Sequence, residues 1–343
     1  MDTLKICDKS SNCLNFGLYN KMVDISKGNE WCKYCVPFDS HDILNFPVRV
    51  LQGMRMVDYL EKMFSNFSRL YTDASHSSNC TIKTANYLSE GIIKTIKTYL
   101  EGKTGEAYNC FVACLDGLKV ENATYPLDNI ILKSKDIIPN GTSFYRMRAE
   151  EGKKNPLDFY HLPFNMRYLC GSMRFSVAGY PCFYTAYSSN CCILETNPKG
   201  SVGKFEFYNS DKHEINMVDL TMDANGKGLT ENVFLAFWPL IAACYVVTSA
   251  PVKRDAMKFK EEYIIPQFLT QYILEHKVNA SQNKNEIWAM RYYSTRKPDL
   301  NPRGTGENDY RNVMFFTQVP PKEMTIYDDK LMSHFRFISS QQI

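Results

Sequence analysis

The sequence lacks the features that would mark a membrane-spanning or secreted chain. Its longest uncharged apolar run, 233–247, is shorter than the roughly 20 residues that a membrane helix needs, and Pro239 interrupts it. The first twelve residues contain neither the basic start nor the apolar stretch of a signal peptide. We therefore expect a cytoplasmic protein in which the apolar run is buried in the core.

Runs of like charge are also missing. The formal net charge is +3, and no stretch carries five or six charges of one sign, so a nucleic-acid-binding tail and a basic membrane patch are not expected. The sequence shows no internal repeat and no glycine-rich dinucleotide fingerprint. Small anionic ligands are compatible with this composition, because a few arginines suffice to bind them. The oligomeric state stays open.

Cysteine is abundant, with twelve residues, but a disulfide framework is not expected without a secretion signal. Cys7, Cys13, Cys32 and Cys35 crowd the first 35 residues, and Cys32-x2-Cys35 has the spacing of two thiolates that reach one zinc ion. Four thiolates would make a closed structural site, in which His41 is an alternative ligand. Free packing cysteines and a redox pair are the competing interpretations. Most of the others lie among apolar neighbours and are expected to be reduced packing residues: Cys110, Cys114, Cys170, Cys182, Cys191, Cys192 and Cys244.

The pattern of apolar residues changes near residues 121–129. Before this point, apolar residues recur every three or four positions, first from Pro47 (Val50, Met54, Val57, Leu60, Phe64) and again around Ile92–Leu100, which predicts a helical domain over 1–120. After it, short β-like runs alternate with turn residues, and one helix begins near Pro266. The predicted strands are Ser143–Met147, Phe183–Ala186, Lys204–Tyr208, Tyr245–Thr248, Ile287–Tyr293 and Val313–Phe316. The sequence therefore predicts an α+β fold with a second domain over 121–343.

Four stretches of the second half carry residue types suited to binding and catalysis. Arg146 and Arg174 offer planar guanidinium groups that fit phosphate through paired hydrogen bonds, although a single arginine is more often a surface or ion-pair residue. Glu195 ends an otherwise uncharged stretch from Tyr180, as either a buried carboxylate with a partner or a surface residue at a strand end. Tyr184 would by default belong to the core. These features indicate an anion site but do not specify its ligand.

The order of the motifs gives a more specific indication. Tyr-Arg at 145–146 is followed by Arg-Phe-Ser-x-x-Gly-x-Pro-x-x-Tyr at 174–184, then by Glu195, Pro-Gln at 266–267, Arg-Tyr-x-Ser at 291–294 and Asn-x-x-x-Phe at 312–316. This series, over a core of residues 142–318, resembles the RES domain family. The helical, cysteine-bearing front resembles the N-terminal domain of longer RES proteins.

The resemblance implies an ADP-ribosyltransferase-like mixed β core and an enzyme that binds NAD as substrate and breaks its nicotinamide–ribose bond. It implies a toxin or defence effector with an antitoxin or regulatory partner. Carried over by motif, the catalytic residues are Glu195, Arg146, Tyr184 and Ser294, and Arg174 joins Arg146, Tyr184 and Ser294 in binding NAD. Water or phosphate as acceptor gives a glycohydrolase or phosphorylase. The alternatives are an ADP-ribosyltransferase acting on a protein and a non-catalytic, zinc-bearing interaction protein.

The cysteine spacing leads to a prediction for the metal content. Protein purified without added metal should carry about one equivalent of zinc per chain, because Cys7, Cys13, Cys32 and Cys35 can complete a tetrahedral shell. Elemental analysis measures this directly, and Cys32→Ser should lower the melting temperature as the shell loses one ligand. A metal-free wild type of unchanged stability would contradict the prediction.

Overall fold

The computed structural model describes residues 46–73, 79–118, 127, 130–134, 137–150, 152–153, 155–196, 199–209, 215–221, 231–248, 259–280, 287–296, 309–318 and 326–343. Two compact units emerge. The first comprises Met1–Ile130 with Met222–Pro251, and the second comprises Ile131–Thr221 with Val252–Ile343. The sequence assigned the whole of 121–343 to one domain, whereas in the structure the segment Met222–Pro251 groups with the first unit.

The described part of the first unit is mainly helical. Its helices are α1 (Met56–Asp73), α2 (Asn79–Leu100), α3 (Thr104–Asp116) and, in the later segment, α5 (Glu231–Cys244). The predicted burial of the apolar run is confirmed, because α5 is buried from Ala236 onward and continues through Pro239. The ring of Trp238 stacks on Phe67 of α1 with centroids 4.2 Å apart. This burial explains why the later segment groups with the first unit, since an all-apolar helix needs a surrounding core.

The first helix begins later than its apolar pattern predicts. Val48–Arg49 form a short strand, β1, which pairs in parallel with β7 (Val246–Val247). Gly53 then adopts a φ of +82°, a left-handed conformation that interrupts a helix, and α1 begins only at Met56. Among the described helices, none has both the length and the apolar character that crossing a membrane requires.

The second unit is built on an eight-stranded mixed sheet. Its strands are β2 (Ile131–Ser134), β3 (Ser143–Arg148), β4 (Phe183–Ala186), β5 (Ser201–Phe207), β6 (Ile215–Asp219), β8 (Ile287–Tyr293), β9 (Arg311–Phe315) and β10 (Phe335–Gln342), and its helices are α4 (Ser189–Glu195), α6 (Ile264–Ala280) and α7 (Asp329–His334). The strand order in this sheet is β10-β5-β3-β4-β9-β8-β6-β2. Within it, β6 and β8 pair in parallel and the other described pairs are antiparallel. The predicted α+β class is confirmed.

One face of this sheet carries an aromatic core. Phe144, Phe183, Phe205 and Phe315 are fully buried there, and Phe335 of β10 lies 4.8 Å from Phe315 between ring centroids. Because side chains alternate along a strand, the neighbour of each core residue points to the other face. Phe183 in the core therefore directs Tyr184 to the opposite face of β4.

A buried ion pair joins β6 to β8. Asp219 and Arg291 are register partners, and Arg291 Nη2 lies 2.5 Å from Asp219 Oδ2, with the two side chains 11% and 3% exposed. Burial alone would raise the pKa of Asp219, but Arg291 and the hydrogen bonds from Thr221 outweigh it and hold the pKa below its ordinary value. The buried Cys182, Cys191 and Cys192 are free thiols, as the sequence predicted.

The ion pair predicts a large effect when one partner is removed. Arg291→Met should lower the free energy of unfolding by about 3–5 kcal/mol, because it leaves a buried carboxylate without its cation. Adding Asp219→Asn should restore most of the loss, since the amide oxygen still accepts from Thr221. Urea unfolding at pH 7 measures both. The contribution of ionised Asp219 to the free energy of unfolding is present above the ordinary aspartate pKa. It is lost as the pH falls through the lowered pKa of Asp219 in the folded chain. Equal stability of the single and double variants would contradict this account.

Candidate active site

Three polar residues of the central strands share the face opposite the aromatic core. Ala186 of β4 pairs with Asn312 of β9, and Asn312 pairs with Tyr292 of β8. Residues directly opposite in antiparallel strands point to the same face, and so does the residue two positions away. Tyr184, Asn312 and Tyr292 therefore project from one face of three adjacent strands.

The two tyrosines are held by the Arg-Phe-Ser motif. Tyr184 donates from its hydroxyl to Ser176 Oγ at 3.1 Å, and the ring of Phe175 lies 4.5 Å from that of Tyr292. Burial raises the pKa of both tyrosines well above the usual range, and Tyr184 and Glu195 raise that of Tyr292 further. Both hydroxyl groups thus stay protonated. The motif that stood out in the sequence folds over this face of the sheet.

Glu195 is the last residue of α4, so it ends a helix and not a strand. Ser188 caps the start of this helix by accepting from the backbone N–H of Cys191 at 3.1 Å, and its hydroxyl donates to the Asp309 carbonyl at 2.6 Å. At the other end, Asn312 Nδ2 donates to Glu195 Oε1 at 3.1 Å. The half-buried carboxylate thereby lies beside Asn312, and it is close enough to Tyr292 to raise the pKa of that phenol.

Arg174 approaches the same face from the motif that carries Phe175 and Ser176. Its guanidinium lies 5.1 Å from the ring centroid of Tyr263 and donates to Thr295 Oγ1 at 3.5 Å. It is close enough to Tyr292 to lower the pKa of that phenol, against the effect of burial. The structure therefore places Arg174 near Tyr292.

Arg146 lies where β3 and β4 part. These strands share one registered pair, Tyr145 with Ala186, and by alternation Arg146 belongs to the core side of the sheet. Its guanidinium lies 5.3 Å from the Phe183 ring centroid and donates to the Tyr184 carbonyl at 3.2 Å. Burial, with Arg148 nearby, holds its pKa well below the usual range. Within the described part of the chain, Arg146 has no carboxylate partner.

Ser294 follows β8 and is fully buried. Its hydroxyl oxygen accepts from the backbone N–H of Arg296 at 3.2 Å, and its own N–H donates to the Tyr310 carbonyl at 2.9 Å. Ser294 thus shapes the turn that presents the next residue, Thr295, to Arg174. The predicted role of Ser294 in orienting nicotinamide or ribose stays a prediction.

Sequence reasoning named neither Tyr292 nor Asn312 as a site residue, although both occur as letters of the recognised motifs. Their importance comes from cross-strand register, which a single sequence does not display. The sequence did hold one indication for Tyr292. Neighbouring residues of a strand point to opposite faces, so Tyr292 must lie on the face opposite to Arg291.

The four cysteines of the predicted zinc site, Cys7, Cys13, Cys32 and Cys35, lie outside the described residues. Among the residues that are described, no group of three or more His, Cys, Asp or Glu side chains could hold a metal ion. The zinc site therefore stays a prediction for the N-terminal stretch.

Comparison with known proteins agrees with the motif order. The family model for the RES domain matches residues 144–338. The chain belongs to the RES domain family. It is 26% identical over 276 residues to a protein of Bacillus subtilis (strain 168) named "Putative toxin YopC", with 74% of this chain covered, and it spans 59% of the length of that relative. No solved structure matches, so the likeness to ADP-ribosyltransferases stays an expectation.

A buried, neutral histidine, His161, lies close enough to Arg146 for the two side chains to interact electrostatically. His161 is buried, its Nδ1 contacts the Leu162 carbonyl at 2.7 Å and its Nε2 accepts from the Asp328 N–H at 2.9 Å. Burial lowers the pKa of His161 to about 4, although the Leu162 carbonyl opposes this, and Arg146 and Arg148 lower it further. The two contacts together require the neutral tautomer with the proton on Nδ1.

This environment predicts a pH-dependent stability. The unfolded chain protonates His161 near pH 6.5 and the folded chain only near pH 4, so stability falls as the pH drops from 6.5 to 4, by about 3 kcal/mol in total. An NMR titration of the histidine rings should show one resonance with a midpoint near 4 that His161→Gln removes. A His161 midpoint near 6.5 would rule out the buried neutral state.

Proposed function

We propose that the second unit binds NAD⁺ and breaks its nicotinamide–ribose bond, with water or phosphate as acceptor. With water the products are ADP-ribose, nicotinamide and a proton; with phosphate they are nicotinamide and ADP-ribose 1″-phosphate. The observation that carries this proposal is the Glu195 carboxylate, which accepts a hydrogen bond from Asn312 on the sheet face that also carries Tyr184 and Tyr292. Membership of the RES domain family supports it.

The proposed role of Glu195 follows from the charge that the reaction creates. Nicotinamide leaves as a neutral ring, so the main difficulty is the positive, oxocarbenium-like charge that develops on the ribose. A carboxylate positioned before the reaction stabilises such charge without reorganising in the transition state. Glu195 meets this requirement because its hydrogen bond to Asn312 orients it before any substrate arrives.

The proposed role of Arg146 follows from its unpaired charge. A desolvated cation costs stability unless an anion compensates it, and the described residues supply no carboxylate to Arg146. A pyrophosphate entering where β3 and β4 part would provide that anion, and the planar guanidinium suits it. Arg174, on the opposite face of the sheet, would bind another part of the same dinucleotide. The protonated Tyr184 would pack on one of its rings and Ser294 would orient nicotinamide or a ribose hydroxyl.

We further propose a biological role as a toxin or defence effector whose activity an antitoxin or another regulatory partner restrains. The curated relative carries the word toxin in its name, and loss of NAD⁺ would harm any cell that contains the active enzyme. The chemistry of the site supports the activity, and the relative supports the role.

The mechanism predicts different kinetic defects for two substitutions. Arg146→Met should raise KM with little change in kcat, because the pyrophosphate contact exists in both ground and transition states. Its melting temperature should not fall, since it removes a buried charge that lacks a carboxylate partner. Glu195→Gln should bind NAD⁺ within a few-fold of wild type while kcat falls by roughly 10²–10³.

Purified protein incubated with NAD⁺ tests this, with nicotinamide release measured by chromatography and NAD⁺ binding by calorimetry. Repeating the assay with phosphate, and with labelled NAD⁺ and cell lysate, separates the two small acceptors from a protein acceptor. A wild-type protein that releases no nicotinamide would contradict the proposed function. Full turnover by Glu195→Gln would falsify the electrostatic role of that residue.

A further inference from the structure

Asn312 connects the proposed catalytic carboxylate to the centre of the sheet. Its amide nitrogen donates to Glu195 Oε1 at 3.1 Å, and its amide oxygen accepts from the thiol of Cys191 at 3.3 Å. All three residues are in the second unit, and Asn312 and Cys191 are 5% and 0% exposed. The amide is therefore held from both sides.

The chemistry of the two neighbours allows only one orientation of this amide. An ionised carboxylate can only accept hydrogen bonds, so it must face the NH₂ group. Burial raises the pKa of Cys191 well above its usual value, and the nearby Glu195 raises it further, so the sulfur keeps its proton and acts as a donor. A thiol donor must face the amide oxygen. The two constraints agree.

The position of Glu195 makes this contact important. It is the last residue of the seven-residue helix α4, whose first turn is held to the 309–312 region by Ser188 and the Asp309 carbonyl. In the part of the chain that the structure describes, Asn312 is the hydrogen-bond partner of the Glu195 carboxylate. Without it, the side chain would be free to rotate at the end of the helix.

We propose that Asn312 is a positioning residue for the NAD⁺-cleaving reaction, aiming the Glu195 carboxylate, and that Cys191 fixes the orientation of the Asn312 amide. This inference rests on the proposed function. Asn312 itself touches no reacting atom. Its effect passes through Glu195, and the effect of Cys191 passes through Asn312. Substitution of Asn312 should therefore lower kcat more than substitution of Cys191.

Two substitutions of Asn312 test the first part. Asn312→Leu keeps a similar volume but removes the donor, so kcat should fall about 10- to 100-fold, the scale of a misplaced catalytic group, while NAD⁺ binding stays within a few-fold. Asn312→Asp keeps the acceptor for Cys191 but sets a second carboxylate beside Glu195. Two carboxylates in one site retain a proton to higher pH, so the acid limb of the kcat–pH profile should move upward. A merely structural role would not move that limb.

Matched variants at Cys191 and at the neighbouring position of β9 complete the experiment. Cys191→Ser keeps a donor and should retain kcat near wild type, whereas Cys191→Ala removes it and should lower kcat several-fold. Val313→Ala is the control for lost packing in β9, because Val313 is fully buried in the aromatic core on the other face. It should lower the melting temperature without the kcat defect.

The outcomes separate this inference from the proposed function. A wild type that releases no nicotinamide overturns both. An active wild type with unchanged kcat in the folded Asn312 variants overturns the positioning role alone, and equal kcat in Cys191→Ser and Cys191→Ala overturns the role of the thiol. If Asn312→Leu does not fold, the pH profile of Asn312→Asp and the Cys191 pair decide between support and rejection.

Discussion

The register of β9 between β4 and β8 is the constraint on which the candidate site depends. Asn312 lies opposite Ala186 on one side and Tyr292 on the other. A slip of one residue would turn Asn312 into the aromatic core and bring Val313 to the polar face. The aromatic core prevents this slip, because Phe315 and Phe183 must stay buried on their own face. Packing on one side of the sheet thus determines the chemistry on the other.

The structure treats its buried arginines in two ways. Arg291 has Asp219 as a close partner within the sheet, and Arg148 donates to the carbonyls of Asp158 and Tyr160 at 2.6 Å each. Arg146, in contrast, contacts one carbonyl and one aromatic ring, and no carboxylate among the described residues pairs with it. An anion bound at Arg146, as we propose, would offset the cost of leaving its charge without a carboxylate.

Sequence patterns predicted much of the fold where local preference and tertiary context agree. The strands Phe183–Ala186 and Ile287–Tyr293 have the predicted bounds, and the class is confirmed. β6 was missed because it is buried on both faces and shows no alternation. β10 was missed because its second half is polar, as suits an edge of the sheet. The late start of α1 was missed because apolar spacing does not reveal the left-handed turn at Gly53.

For the site, the sequence by itself determined the residue types and their order along the chain. That was enough to identify the RES domain and to select Arg146, Arg174, Tyr184, Glu195 and Ser294. Those features are local, since a motif is read from neighbouring letters. Only the tertiary structure decided that Tyr292 and Asn312 join Tyr184 and Glu195 on one face, that Arg146 stands where two strands separate, and that Ser294 is buried in a turn. Each of these facts depends on which strands pair and in what register. That pairing is set by the packing of the aromatic core, which is distributed over residues far apart in the chain.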